Sequence, residues 1–367
     1  MTSIAPSSPS FATARASASR GDRGIALWLF GCAAMIFLMV VIGGVTRLTE
    51  SGLSITEWQP ISGVIPPLSD GDWTREFEHY KAIPQYQAIH ADMTLAEFKT
   101  IFFWEYLHRL WGRLIGIAFA VPFLWFLWMR RLSRALAPKL AALLVLGGLQ
   151  GALGWYMVES GLAGRIEVSQ YRLVAHLGAA VALYLAILWV ALDLARQPSA
   201  RDRIAPASLR CALTALLALA LVTLAAGGFV AGLRAGYVYN TFPLMGGALV
   251  PPDYASVSPW YLNPFESLAA AQFDHRVLAE LTWLSAIGLW LWSQRLDLAQ
   301  GVRASLRALA AVATLQLGLG IATLLLVVPI LLAVAHQAGA LLLVTAILVA
   351  RHAARRPKMD GAARAAL

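Results

Sequence analysis

Residues 105–109 read Glu-Tyr-Leu-His-Arg, and residues 272–276 read Gln-Phe-Asp-His-Arg. Each stretch opens an apolar run long enough to cross a bilayer, and a second histidine opens a later run in each half. The second histidines are His176, in Val-Ala-His-Leu, and His336, in Val-Ala-His-Gln. Because a repeated sequence indicates repeated structure, these four stretches predict two equivalent halves.

Eight apolar runs reach the length of about 20 residues that a membrane-spanning helix needs. They cover residues 25–45, 106–128, 138–157, 172–194, 209–231, 274–293, 304–326 and 329–350. The composition agrees, since 59% of the 367 residues are hydrophobic and 13% are charged, against about 45–50% and 25% in soluble domains. The sequence therefore predicts an all-α membrane protein with eight transmembrane helices in the lipid bilayer.

The repeat divides these spans into two pseudo-symmetric four-helix bundles, residues 24–195 and 209–350, joined by a cytoplasmic linker at 196–208. An even number of helices per half gives both halves the same orientation, so the axis that relates them lies along the membrane normal. The remaining segments, 1–23 and 351–367, are predicted as a disordered Ala/Ser-rich tail and a basic tail.

The loops between the spans indicate the orientation, because cytoplasmic loops carry an excess of Lys and Arg. Arginines cluster after the second, fourth, sixth and eighth spans. Both termini are therefore predicted to be cytoplasmic, and the long loops 46–105 and 232–273 to lie outside. The same clusters account for the net charge of +9, so no nucleic acid is expected as a partner. The short tail favours a bacterial cell inner membrane, with the mitochondrial inner membrane as the alternative.

Four histidines, His108, His176, His275 and His336, are predicted within the first two turns or so of their helices, at one depth. Ionisable residues inside a bilayer are costly and functional by default. They pair as His108 with His176 and as His275 with His336. Heme iron takes one or two axial histidines, whereas zinc usually takes four ligands, often with thiolates or carboxylates. The pattern therefore favours heme over zinc.

The other histidines and both cysteines are predicted to lie outside the site. His79 and His90 fall in the first outer loop and His352 in the basic tail, so all three are interpreted as solvated. Cys32 and Cys211 lie within apolar runs and are interpreted as packing residues.

Charged residues beside the histidines distinguish the two halves. Arg109 and Arg276 each follow a histidine, where a guanidinium can bind a heme propionate; snorkelling to the membrane interface is an equal alternative. Glu105 lies three residues before His108, on the same helix face, and the second half has Gln272 there. Because a carboxylate can accept protons or stabilise positive charge, the first half is predicted to be reactive and the second to hold an electron-transfer heme. The alternative is that Glu105 only caps or pairs locally.

Four motifs resemble those of the heme A synthase family. They begin Gly-Gly-Val-Thr-Arg-Leu-Thr-Glu at 43–60, and read Glu-Tyr-Leu-His-Arg-Leu-Trp-Gly at 105–112, Gln-Gly-Ala-Leu-Gly-Trp at 150–155 and Asn-Thr-Phe-Pro-Leu-Met-Gly at 240–246. The resemblance covers about residues 25–350. It implies oxidation of a methyl group of heme O to a formyl group, which gives heme A for terminal oxidase assembly.

The resemblance also implies the roles of the histidines. His275 and His336 would ligate a heme b cofactor, while the catalytic residues Glu105, His108 and His176 would lie at the substrate heme O. Water or dioxygen would supply the oxygen atom, and a heme O synthase (farnesyltransferase) is the expected partner; a homo-oligomer stays open. Because the outer loops contain no cysteine, the chain is similar to the cysteine-less branch of proteobacteria and mitochondria, and no thiol relay is expected.

From the residues alone, two other functions stay open. A cytochrome b-type quinol oxidoreductase would hold two permanent hemes, which the difference between Glu105 and Gln272 weakly opposes. A heme or small-molecule transporter would use the repeat for alternating access. Its helices should be broken in matching places, and Pro122 marks a candidate kink in one half only.

Overall fold

A computed structural model describes residues 11–59, 62–162, 166–195 and 205–355 of the chain. Its long helices are α1 (Phe11–Leu48), α4 (Leu95–Trp128), α5 (Ala137–Leu162), α6 (Gln170–Ala195), α7 (Ala207–Gly232), α9 (Leu268–Ser293), α10 (Gln300–Leu325) and α11 (Ile330–Ala353). Its short helices are α2 (Asp70–Lys81), α3 (Pro84–Ile89) and α8 (Asn263–Glu266). The fold is therefore all-α.

Among the described residues, seven of the long helices have the length and composition of membrane spans. The exception is α9, which has 26 residues but carries Asp274, His275, Arg276 and Glu280. These polar residues lower its hydropathy. The protein is thus an all-α, multi-pass membrane protein with seven candidate spans.

The largest difference from the predicted spans is the start of α4, at Leu95 and not near residue 106. Thr94 and Glu97 form a capping box, in which the Thr94 hydroxyl accepts from the Glu97 N–H and the Glu97 carboxylate accepts from the Thr94 N–H. With 34 residues, α4 is about 50 Å long, longer than a hydrocarbon core of about 30 Å. His108 therefore lies beyond the first three turns of its helix, so its predicted position within two turns is wrong.

The segment before α4 folds over the helix ends as a small aromatic layer. Ser69 and Asp72 form a second capping box that starts α2. Phe77 and Tyr80 of α2 pack against Phe98 of α4, with ring centroids 5.0 and 5.3 Å apart. This layer holds the first outer loop beside the start of α4.

Contacts between the long helices form two rings of four. In the first ring, α1 and α5 each contact both α4 and α6. In the second, α7 and α10 each contact both α9 and α11, in the same chain order. The rings meet where α1 contacts α11 and where α6 contacts both α7 and α11. This is the order that two equivalent four-helix units require.

The densest apolar packing lies at the helix ends opposite the long loops. Leu29, Leu140, Ile187, Leu306 and Ile347 are each at most 2% exposed there and belong to one continuous cluster. The cluster joins both rings. It leaves the other ends of the helices, where the histidines lie, for the site.

Two predictions outside the site are wrong. His352 is 5% exposed, and its Nε2 lies 2.8 Å from Asp193 Oδ1, because α11 continues to Ala353 and packs this histidine against α6. Cys211 is exposed on α7 and does not pack in the helix contacts.

The predicted tails and linker lie mostly outside the described residues. α1 begins at Phe11, so its backbone is helical within the segment 1–23 that the sequence predicted as disordered. Residues 1–10, 196–204 and 356–367 lie outside the described ranges.

Candidate functional site

In the first half, each predicted histidine packs against a glycine of a neighbouring helix. A Cβ atom on Gly43 of α1 would lie 3.0 Å from Cε1 of His108 on α4. A Cβ atom on Gly154 of α5 would lie 2.7 Å from Cε1 of His176 on α6. Carbon atoms pack best at about 3.5–4.0 Å, so any side chain at either glycine would displace the imidazole.

The second half repeats this arrangement. A Cβ atom on Gly227 of α7 would lie 2.9 Å from Cε1 of His275 on α9. A Cβ atom on Gly320 of α10 would lie 2.8 Å from Cε1 of His336 on α11. The first and third helices of each half thus carry the glycine, and the second and fourth carry the histidine.

His275 and His336 have the spacing of two axial ligands. Their ring centroids are 6.4 Å apart and their planes are inclined by 79°. A ligating imidazole nitrogen lies about 2 Å from its metal and the ring centre about 1 Å further out, so two imidazoles on opposite sides of one iron have centres about 6 Å apart. Within the described ranges, no three His, Cys, Asp or Glu side chains are grouped to hold a metal ion. The pair therefore fits a heme iron.

Hydrogen bonds orient both rings of this pair. Nδ1 of His275 donates to the carbonyl oxygen of Thr223 at 3.1 Å. Gln316 Nε2 donates to the His336 carbonyl at 3.0 Å and lies 3.1 Å from its Nδ1. Histidines that bind a metal usually donate a hydrogen bond from their other ring nitrogen, as His275 does here, and Nε2 of His275 is then the atom left for iron. Nε2 of His336 is left in the same way when the Gln316 amide presents its oxygen, which has no other partner in the described part of the chain, to Nδ1.

The first pair is oriented on one side only. Gln150 Nε2 donates to the His176 carbonyl at 2.9 Å and lies 3.1 Å from its Nδ1, as Gln316 does for His336. Nδ1 of His108 is buried, and no partner for it lies among the described residues. His108 is therefore the least constrained of the four rings.

Glu105 is 3% exposed and connects α4 to the first outer loop. Its Oε2 accepts from the Ser54 hydroxyl and the Ile55 N–H, both at 2.8 Å. Its Oε1 accepts from Arg109 Nε at 3.1 Å and Nη2 at 2.6 Å. The carboxylate is thus held in one position, one helical turn from His108.

Gln272 occupies the same place in the second half. Its Nε2 donates to the carbonyl oxygens of Ala235 and Val238, at 2.6 and 2.5 Å. Its Oε1 accepts from Arg276 Nη2 at 2.7 Å. The second outer loop is thus held by a neutral amide where the first is held by a carboxylate.

The two arginines differ in the donors that remain. Arg109 uses Nη2 for the Ile55 carbonyl, Nη1 for the Glu57 carbonyl and Nε for Glu105. In Arg276, Nε is buried with no partner in the described part of the chain. Arg276 therefore has a donor left for a carboxylate. Arg109 uses its donors to hold the first outer loop against α4. Binding of a heme propionate stays a prediction for both arginines.

A cavity of about 310 Å³ surrounds the second pair. Besides His275 and His336, its walls include Trp283 of α9 and Leu177 of α6, and Arg234 lies at its edge. The cavity is therefore closed partly by the first half.

The sequence interpretation missed the residues that orient the rings. Gln150 and Gln316 each precede a site glycine by four residues, in Gln-x-x-x-Gly stretches at 150–154 and 316–320. This shared spacing, in helices that carry no site histidine, is the signal that could have found them.

Comparison with known proteins agrees with these motifs. Residues 26–348 match the COX15-CtaA family, described as cytochrome oxidase assembly protein. A protein from Nitrosospira multiformis named heme A synthase is 53% identical over 341 residues, covering 91% of this chain and 94% of the relative. One of the same name from Rhodospirillum centenum is 52% identical over 337 residues, covering 92% and 90%. This chain belongs to the heme A synthase family.

Membership of the heme A synthase family confirms the resemblance of the motifs. It also favours that family over the quinol oxidoreductase and transporter alternatives.

Proposed function

We propose that this chain is a membrane oxidoreductase that converts heme O to heme A by oxidising one porphyrin methyl group to a formyl group. The relatives named heme A synthase are 53% and 52% identical to it. One observation carries the proposal: two equivalent histidine pairs have Glu105 beside the first and Gln272 at the same place beside the second.

The proposed architecture has eight transmembrane helices in two pseudo-symmetric bundles. α9 is the eighth span, because it completes its ring between α7 and α10 as α4 does between α1 and α5. The arginine-rich loops support an orientation with both termini in the cytoplasm. The proposed location is the cell inner membrane. The histidines then lie toward the outer face.

In the second half, His275 and His336 are the residues that would hold heme b. The bound heme would supply one-electron transfer. The Thr223 carbonyl and Gln316 fix the two rings, and the apolar cavity wall keeps water from the iron. Arg276 Nε is the donor available to a propionate.

In the first half, His108 and His176 face the substrate heme O. With water as the oxygen source, the methyl carbon exchanges two of its three hydrogens for one oxygen atom; four protons are released, and four electrons pass to an external electron acceptor. The Glu105 carboxylate is the group that can take up protons or stabilise positive charge there. A loosely oriented His108 suits a heme that must enter and leave.

The proposed partner is a heme O synthase, a farnesyltransferase. Heme O carries a farnesyl chain and is therefore strongly apolar. Direct transfer between two membrane proteins avoids its exposure to water.

Extraction and identification of the hemes in the purified protein tests this function. We expect heme b together with heme O or heme A. Two stoichiometric hemes b would favour a quinol oxidoreductase, and a heme-free protein would favour a transporter. In cells, Glu105→Ala should abolish heme A and accumulate heme O; normal heme A levels would remove the role assigned to Glu105.

A further inference from the structure

The residue after the second-half ligand His336 reaches across to the first half. Gln337 Nε2 donates to the carbonyl oxygen of Val40 on α1 at 2.7 Å. A Cβ atom on Gly44 of α1 would lie 2.6 Å from Gln337 Oε1. A side chain at position 44 would therefore push the Gln337 amide from its place against the α1 backbone.

The preceding residue of α1, Gly43, touches the other histidine pair. Gly43 packs against His108, with a Cβ position 3.0 Å from its ring. The glycine pair, Gly43 and Gly44, is thus held between His108 of one site and Gln337, the neighbour of His336, of the other. The backbone of α1 is the wall between the two sites at this level.

The pseudo-symmetric crossing has the same packing without the amide. Leu177 follows His176 on α6, and a Cβ atom on Gly228 of α7 would lie 3.9 Å from Leu177 Cδ2 and 2.9 Å from Val174 Cγ2. Packing alone therefore suffices to join the halves at that crossing. The hydrogen bond of Gln337 to Val40 is therefore an addition to the packing and is not required for helix contact.

We infer that Gln337 and the glycine pair fix the two metal sites relative to one another and form the short route for an electron between them. The inference rests on the proposed function. The route runs from His336 through its neighbour Gln337, one hydrogen bond and the α1 backbone to the face of His108. One electron leaves one iron and reaches the other, with no bond broken and no proton moved. Gln337 is a positioning residue.

Gln337→Met tests the inference, because methionine keeps the shape and removes the hydrogen bond to Val40. Half-reduced protein that holds heme b and heme O would be saturated with CO, and a laser flash would start electron transfer between the hemes. We expect transfer about tenfold slower than in wild type, with the heme b content, absorption maximum and melting temperature unchanged. Gly44→Ala should have the same effect.

Val174→Ala is the matched control at the other crossing, where Val174 packs against Gly228, and its transfer rate should stay within about twofold of wild type. An unchanged rate in Gln337→Met, or an equal loss in Val174→Ala, would overturn the inference. If the wild-type protein lacks heme b or does not bind heme O, the proposed function fails instead. The two failures are therefore separate.

Discussion

The two halves of this protein share one helical scaffold and differ in the polar groups beside their histidines. In both, four long helices form a ring in the same order, and two glycines pack against two imidazoles. These four glycines, which we call the glycine seats, have closely similar contacts: the Cβ positions at Gly43, Gly154, Gly227 and Gly320 lie 2.7–3.0 Å from the rings. Such agreement requires equivalent backbone geometry, which duplication of one four-helix unit provides.

The differences are confined to polar groups around that scaffold. A carboxylate beside His108 is replaced by the Gln272 amide beside His275. His275 has a carbonyl partner, but His108 has none in the described ranges. Under the proposed function, the repeat would specify where a heme binds, and a few polar differences would specify whether it stays or reacts. The variants below test this division, in order of expected effect.

Removal of a ligand should give the largest contrast. His275→Ala or His336→Ala should abolish the low-spin heme spectrum of the purified protein. Removal of a residue that hydrogen-bonds to a metal ligand lowers metal affinity roughly 10- to 100-fold. Removal of a ligand itself should lower heme affinity by more. His108→Ala and His176→Ala should leave that spectrum intact, because they touch only the substrate pair. A spectrum lost equally in all four variants would contradict the separation of roles.

Exchange of the acid and the amide tests the asymmetry itself. Glu105→Gln gives the first half the residue of the second, and the amide can still accept from Ser54 and Ile55. Loss of a general acid–base group costs about 10²–10⁴-fold, so heme A formation should fall at least about 100-fold with the heme b spectrum unchanged. The reciprocal Gln272→Glu should destabilise the second half, because a carboxylate cannot donate to the Ala235 and Val238 carbonyl oxygens as the amide does. If Glu105→Gln makes heme A at the wild-type rate, Glu105 has no role in the chemistry and only holds the first outer loop.

Methyl groups added at the glycine seats should have a smaller effect. Gly227→Ala or Gly320→Ala puts a carbon within 3 Å of an imidazole. Overpacking costs about 1–3 kcal/mol, which corresponds to heme b binding weakened about 5–150-fold. Transfer of heme to apomyoglobin would measure it. Gly288→Ala on α9 is the control, because nothing lies within 4 Å of its Cβ position; an equal loss there would contradict the role of the seats.

Features that depend on residue type alone could be predicted from the sequence, whereas features that depend on how two helices pack could not. The four histidines were predictable because an ionisable group in an apolar run has few roles. The seats at Gly154 and Gly320 were not, since glycine is common in membrane helices and close approach appears only when two helices pack. The early start of α4 was missed because Thr94 and Glu97 also suit a polar loop. The partners of Gln316 and Gln337 depend on helix rotation, which periodicity in a wholly apolar helix does not specify.

Loss of the ion pairs near the outer loops, where the two halves meet, should give the smallest effect on stability. Arg234 of the second half pairs with Glu167 and Glu50 of the first, the latter at 2.6 Å, and within the first half Arg47 donates to Glu167 at 2.8 Å. Their side chains are 20–36% exposed, and exposed pairs contribute about 0.2–1 kcal/mol each. Glu167→Gln weakens two pairs at once, so we expect the melting temperature to fall by about 2–4 °C.

The salt dependence of that shift identifies its cause. The screening length falls from about 10 Å at 0.1 M to about 3 Å at 1 M salt, so the difference between Glu167→Gln and wild type should shrink as salt is added. Arg75→Ala, which breaks a pair with Asp72 within α2, should leave the melting temperature unchanged. A shift that persists at 1 M salt would mean that the halves are joined there by packing. The glycine crossings would then hold them together without help from charge.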